Sequence, residues 1–298
     1  MRITQRAVAL TSLQGLGRNL DSLSNLQQQL TSGRTISAPS DSPPGTNRAM
    51  QTRSDQAAVA QQARNISDAK GWLEQTDSTL QTMLDATRRV RDLTVQGLNE
   101  GAGSEPRDKA IAAEVASLRE GLIALANTRN QGRPLFGGPT SGSEAYATTG
   151  ATAGSWRGQD GEVLRRVSDD EQLAINVTGP QAFGEAPNDL FTVLQGIVDD
   201  LGAGSGALAA NDRLAALDDV MVGMQNAVAG IGARASRIER LEQINADRAL
   251  ALGSQLAETE NIDLPNTIMK LQMVQIGYEA ALAATAKAIS PTLLDYLH

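Results

Sequence analysis

Residues 26–45 read "LQQQLTSGRTISAPSDSPPG". A run of good helix formers carrying Leu26 and Leu30 meets Thr31, Ser32 and Gly33, then breaks into a polar segment with Pro39, Pro43 and Pro44. Gly33 is read as a helix stop, and the Ser/Pro/Asp-rich run after it as a loop. Upstream, Leu13, Leu16, Leu20, Leu23, Leu26 and Leu30 follow at spacings of three or four, which is one stripe of a helix. A leucine-striped helix that halts after about thirty residues needs a reason, and the rest of the chain supplies one.

A second helix is expected from about residue 46 to about residue 99. Val59, Ile66, Leu73 and Leu80 repeat every seven residues, with Ala69, Met83 and Val90 on the companion seam. A repeat held that long is a coiled-coil seam, not the wider stripe of a globular helix. The segment "NEGAGSEP" at 99–106 reads as a turn, with Ser104 as N-cap and Glu105 and Pro106 in the first turn of a third helix. That helix carries Ile111, Val115, Leu118, Leu122 and Leu125 and ends near "NTRNQG".

The character then changes. Residues 132–190 are rich in Gly, Ser, Thr and Pro and hold five of the eight aromatic residues, if the edge is set at Phe191. "EVLRRVS" and "QLAINVTG" alternate β-branched and polar residues around the turn signal "SDDE", which predicts a small antiparallel β-rich insert. The sequon at Asn176 lies inside a predicted strand and is read as chance. Helix resumes at about 188–201, a Gly/Ala/Ser linker follows, and a long helix places Leu217, Met221, Met224, Val228, Ile231, Ala235 and Ile238 at alternating spacings of four and three. "ENIDLPN" interrupts it, with Asp263 able to cap and Pro265 suited to a first turn. The last helix carries Ile268, Leu271, Tyr278, Leu282 and Ile289, and Pro291 ends it.

The expected fold class is therefore mainly α with a β-rich insert, an elongated antiparallel helical rod made by the two ends of the chain. Its parts are residues 1–45, 46–131, 132–190, 191–260 and 261–298. A helix of fifty residues is roughly 75 Å long. The stripes at 59–90 and 217–238 are expected to pack on each other within one molecule.

Composition excludes several functions. The net charge of -8 and a pI of about 4.8 remove the electrostatic case for wrapping nucleic acid. Arg88, Arg89 and Arg91, the densest basic cluster, read as a solvated helix face. There is no cysteine, so disulfides, thiol nucleophiles and thiolate metal sites are out. The interrupted apolar run at the start does not resemble a cleavable signal peptide, and no apolar stretch is long enough to span a bilayer. The single histidine, His298, leaves no His-based triad and no zinc site with two histidines. "GLGRN" at 15–19 lacks the strand a dinucleotide loop requires, and Asp169, Asp170 and Glu171 read as a hairpin turn. No catalytic residue, metal ligand or cofactor site is expected.

What remains is hydrophobic stripes. Terminal helices of this length are marginal alone in water. Either they fold on each other or they stay disordered until other chains cover them, and the second outcome is favoured.

The opening stretch, "LTSGRTISAPSDSPPG", resembles the helix-to-loop signature of the flagellin family, L-S-[ST]-G-K/R-x-[IV]-x-x-P-S-D-D-P-x-G/A. "NTRNQGRPLFGG" is similar to that family's entrance to its β domain, and "ENIDLPNTIMKLQMVQIGYEAALAATAKA" to its C-terminal helix motif. "MRIT" and "TLLDYL" look like the hook-associated branch. The resemblance covers about residues 1–140 and 190–298. Ser42 replaces the usual second Asp of the signature, and Pro265 replaces a helix former.

The resemblance implies a structural subunit of the bacterial flagellum at the hook–filament junction, secreted without a cleaved signal through the flagellar type III channel. Implied partners are hook-associated protein 1, flagellin, further copies of the chain in a layer, and a cytoplasmic export chaperone. It implies assembly contacts at Leu13, Leu16, Leu20, Leu23, Leu30, Ile268, Leu271, Tyr278 and Leu282. Gly33, Pro39, Ser40, Asp41, Pro43 and Pro44 would then form a stiff crossing from an inner to an outer layer of a tube. The competing readings are flagellin itself and a helical signalling rod.

Overall fold

A computed structural model describes residues 2–99, 105–150 and 152–289. Ser104 as an N-cap, Pro291 as a helix end, and the closing "TLLDYLH" lie outside them. The elements in order are α1 (Arg2–Ser32), α2 (Pro43–Asn99), α3 (Glu105–Ala126), β1 (Arg129–Asn130), β2 (Arg133–Pro134), β3 (Leu164–Arg166), β4 (Gln172–Ala174), α4 (Gly179–Phe183), α5 (Leu190–Ala203), α6 (Ser205–Ala210), α7 (Arg213–Glu260) and α8 (Leu264–Ile289). They fall into two units, Val59–Asp247 and Met1–Ala58 with Arg248–His298. No helix among the described residues is long and apolar enough to cross a membrane.

The first unit, residues 59–247, is built on the expected seam. Ile66, Leu73, Leu80, Met83 and Val90 of α2 share one buried cluster with Leu217, Met224, Ile231 and Ile238 of α7. Polar pairs run alongside. Asn245 donates to the Val59 carbonyl at 3.2 Å, Lys70 meets Glu242 at 2.9 Å, and Arg91 meets Asp218 at 2.6 Å. Partners descend on one helix as they rise on the other, so the pair is antiparallel. Arg88 pairs with Asp85 on α2 itself and Arg89 with Glu114 on α3, so this basic face is solvated and cross-linked at once. α3 packs on α5, adding Ile111, Val115 and Leu122 to the same core.

The insert is mostly loops around two short antiparallel hairpins, β1–β2 and β3–β4. The second hairpin lies where alternation placed it, with Leu164 opposite Ala174 and the "SDDE" run in its turn. The first hairpin was not legible, because "RNQGRP" has two-residue strands and no alternating pattern. Its turn uses positive φ at Gln131 and Gly132. The expected linker after α5 contains the short helix α6, and α2 begins three residues before the expected start. Proline is compatible with a first helical turn, whose N–H groups need no helical acceptor.

The hairpin is clamped onto the two long helices. Arg165 pairs with Asp68 at 2.8 Å, Asn65 donates to the Arg166 carbonyl at 2.8 Å, and Arg237 pairs with Glu171 at 2.7 Å. Phe136, Tyr146, Phe183 and Phe191 form an edge-to-face and tilted cluster with centroids 4.7–5.9 Å apart. Asn127, which heads the "NTRNQGRPLFGG" motif, accepts from the amides of Ala145 and Tyr146 at 2.8 and 2.9 Å. The motif's Gly138 has φ +68, and a Cβ there would sit 2.0 Å from the Gln159 carbonyl oxygen. Only glycine lets the chain pass at that point.

Two outcomes follow. Leu80→Ala, at a site with no exposed surface, is expected to cost about 2–5 kcal/mol by urea unfolding. Burial, with a smaller push from Asp189, holds the Tyr146 phenol far above its ordinary value of 10.0. The folded state therefore keeps that proton more tightly than the unfolded one, and the stability this contributes is full below about pH 10 and lost as pH rises past it. Tyr146→Phe is expected to flatten the alkaline fall in the urea midpoint.

Candidate assembly surface

α1 stops where the sequence places its stop. Gly33 adopts φ +70 and its amide donates to the Gln29 carbonyl at 2.8 Å, a left-handed C-terminal cap. The next residues are tied to the break between α7 and α8. Thr35 donates its amide to the Glu260 carbonyl at 2.6 Å and its hydroxyl to the Asn261 carbonyl at 3.0 Å. Ile262 donates in return to the Gly33 carbonyl at 3.2 Å. The Glu260 carboxylate, only 8% accessible, takes the Arg53 guanidinium at 2.6 Å, while Arg34 stands 3.9 Å away.

The rest of the segment is equally ordered. Asp41 accepts from the amides of Ser37 and Ala38 at 2.9 and 2.8 Å, folding the loop back on itself. Ser42 Oγ accepts from the Gly45 amide at 3.2 Å at the start of α2, so the residue that departs from the family signature acts as a cap. Pro43 and Pro44 lie in the first turn of α2, and Pro39 and Ser40 are exposed at the loop tip. On the other side of the break, Asp263 Oδ1 accepts from the Asn266 amide at 3.2 Å and starts α8, with Pro265 in its first turn.

α1 packs along α8. Their half-buried faces carry Leu16, Leu23, Leu26 and Leu30 on α1, and Leu271, Val274 and Tyr278 on α8. No described side chain of α1 is fully buried. The predicted assembly residues therefore divide into two sets. Leu16, Leu23, Leu30, Leu271 and Tyr278 are partly covered within the chain. Leu13, Leu20, Ile268 and Leu282 remain 56%, 51%, 40% and 43% exposed.

Around them lie residues the sequence stripe missed. Leu10, Leu264, Met269, Met273 and Ile276 are exposed as well. The signal was present in α8, which is apolar nearly all the way round; a helix of that kind belongs in a buried environment. Only one side of it is covered here. No group of His, Cys, Asp or Glu among the described residues could hold a metal ion. What it can do is bury apolar area, at roughly 1 kcal/mol for each half-exposed leucine.

The latch at Glu260 can be tested by amide hydrogen exchange. Glu260→Ala is expected to speed exchange at Thr35 and Ile262, lowering their opening free energy by about 1–3 kcal/mol, because it removes a charged partner from a covered site. Leu13→Ala is expected to leave both amides unchanged.

Residues 3–140 match the bacterial flagellin N-terminal helical region. The chain is 24% identical to flagellar hook-associated protein 3 of Salmonella typhimurium over 94% of its own length and 95% of that protein's. It is 23% identical to the flagellin of Listeria innocua, over 100% of this chain and 99% of the flagellin. Its fold matches the crystal structure of the flagellar junction protein FlgL from Legionella pneumophila with a TM-score of 0.59 at 14% identity, covering 72% of this chain and 99% of that one. In sequence the chain thus resembles flagellar hook-associated protein 3 along nearly its whole length, and its residues 3–140 match the flagellin N-terminal helical region.

Proposed function

We propose that this protein is a structural subunit of the bacterial flagellum, acting at the hook–filament junction and seeding the filament. The observation that carries the proposal is the uncovered apolar surface of α1 and α8, which gains stability only when other chains cover it. In this reading Leu13, Leu20, Ile268 and Leu282 meet neighbouring subunits, while Leu16, Leu23, Leu30, Leu271 and Tyr278 hold α1 to α8. The segment from Gly33 to Pro44 is the crossing between an inner and an outer layer, stiffened by Asp41 and by the bonds to Glu260 and Asn261. The partners are hook-associated protein 1 on one side, flagellin on the other, and copies of the chain around the layer, after type III export with a cytoplasmic chaperone. The role is mechanical, with no catalytic step.

Full-length similarity to a flagellin supports a second reading, a filament subunit. Seeded polymerisation separates the two. The protein is expected to stay monomeric in bulk, to add to hook ends carrying hook-associated protein 1, and to let added flagellin grow from them. Long filaments of this protein alone would replace the junction reading with the flagellin one. Leu20→Glu or Leu282→Glu is expected to abolish incorporation while leaving the circular dichroism and urea unfolding of residues 59–247 unchanged; normal incorporation would refute the assembly role of that surface.

A further inference from the structure

A cleft of about 680 Å³ opens in the insert, a size ordinary for a ligand site and several times that of one side chain. Its walls are the 152–156 segment, α4, the turn at 184–186 and the start of α5. No Lys, Arg or His lines it, whereas Asp160, Glu185 and Asp189 do, together with Trp156 and Tyr146. Asp189 is committed to capping α5, accepting from the amides of Phe191 and Thr192 and from the Thr192 hydroxyl. Asp160 and Glu185 are exposed and form no ion pair among the described residues. Asp68, Glu171, Asp200 and Asp218 of the same unit each hold an arginine instead. What sets Asp160 and Glu185 apart is their place, since both border one cleft together with an indole.

The walls are fixed in advance. The Trp156 indole N–H donates to the Phe136 carbonyl at 3.1 Å, which sets the plane of the ring. A Cβ on Gly179 would lie 2.3 Å from the Tyr146 hydroxyl and 2.7 Å from Trp156 Cδ1, so α4 is flush against both rings. Arg119 donates to the carbonyls of Phe191 and Ala153 at 3.1 and 2.6 Å, stapling the 152–156 segment to α5. Thr178, 2% exposed, lines the cleft with a hydroxyl oxygen that has no hydrogen-bond partner among the described residues.

We propose that this cleft is a binding site for an arginine presented by a partner protein. The guanidinium stacks on the Trp156 indole and donates hydrogen bonds to the carboxylates of Asp160 and Glu185, and the adjoining residues of the partner segment occupy the remaining volume. Arginine fits better than lysine, because a planar, weakly hydrated fork both stacks on an aromatic face and pairs with carboxylates. A neutral saccharide would use the indole face but gain nothing from the unmatched charge. The site is independent of the α1–α8 surface and of the junction role.

The test titrates the full-length protein with the blocked tripeptide acetyl-Gly-Arg-Gly-amide, following the indole N–H resonances of Trp156 and Trp72 by NMR. The matched citrulline peptide, which keeps the shape and loses the charge, and N-acetylglucosamine are titrated in parallel. The expected result is a saturable shift confined to Trp156, about tenfold weaker with citrulline. Asp160→Asn and Glu185→Gln each weaken arginine binding several-fold, and added salt weakens it as well. Both substitutions are at exposed positions, so circular dichroism should be unchanged. Equal binding of the two peptides, binding of the saccharide in place of the arginine peptide, or no saturable shift at Trp156 overturns the proposal.

Discussion

The apolar seam between α2 and α7 is the constraint from which the rest follows. It pairs residues from the first third of the chain with residues from the last third, so Val59 meets Asn245 and Arg91 meets Asp218. Once that register is set, the insert is held between its flanking helices and clamped by Asp68, Asn65 and Arg237. The same two helices run on beyond the seam, where Arg53 of α2 meets Glu260 at the end of α7. There the backbone of Gly33 and Thr35 joins that of Glu260 and Ile262.

The contrast between the two units is one of coverage. In residues 59–247 the heptad positions are filled from both sides, and Leu73, Leu80 and Met83 have at most 1% of their surface exposed. In the α1–α8 pair no described α1 side chain reaches that state, and Met273 and Ile276 are 73% and 67% exposed. Two helices can shield only one side of each other, whereas a seam supported by a third helix and an insert is closed. The terminal pair is thereby left with free energy still to gain from association, which suits a part whose final environment is an assembly.

Much of this was legible in the residues. The period-seven apolar residues from Val59 to Leu80 and the Gly33 stop marked the long helix α2 and the end of α1, because helical spacing and left-handed caps are local properties of sequence. Alternation found β3 and β4. It failed at β1–β2, where two-residue strands carry no period, and at α6, where a Gly/Ala/Ser run looks like a linker. The site was half legible. The stripe from Leu13 to Leu30 identified a sticky helix but could not divide it into a face covered by α8 and a face left open.

The sequence by itself determined the helix periods, the caps and the breaks at Gly33 and Asp263, all of which depend on residues within a few positions of one another. The tertiary structure alone decided which apolar residues stay exposed, that the 33–44 segment is pinned to Glu260, and that Asp160, Glu185 and Trp156 border one cleft. Those facts depend on contacts between residues far apart in the chain, which no local pattern of spacing or capping specifies.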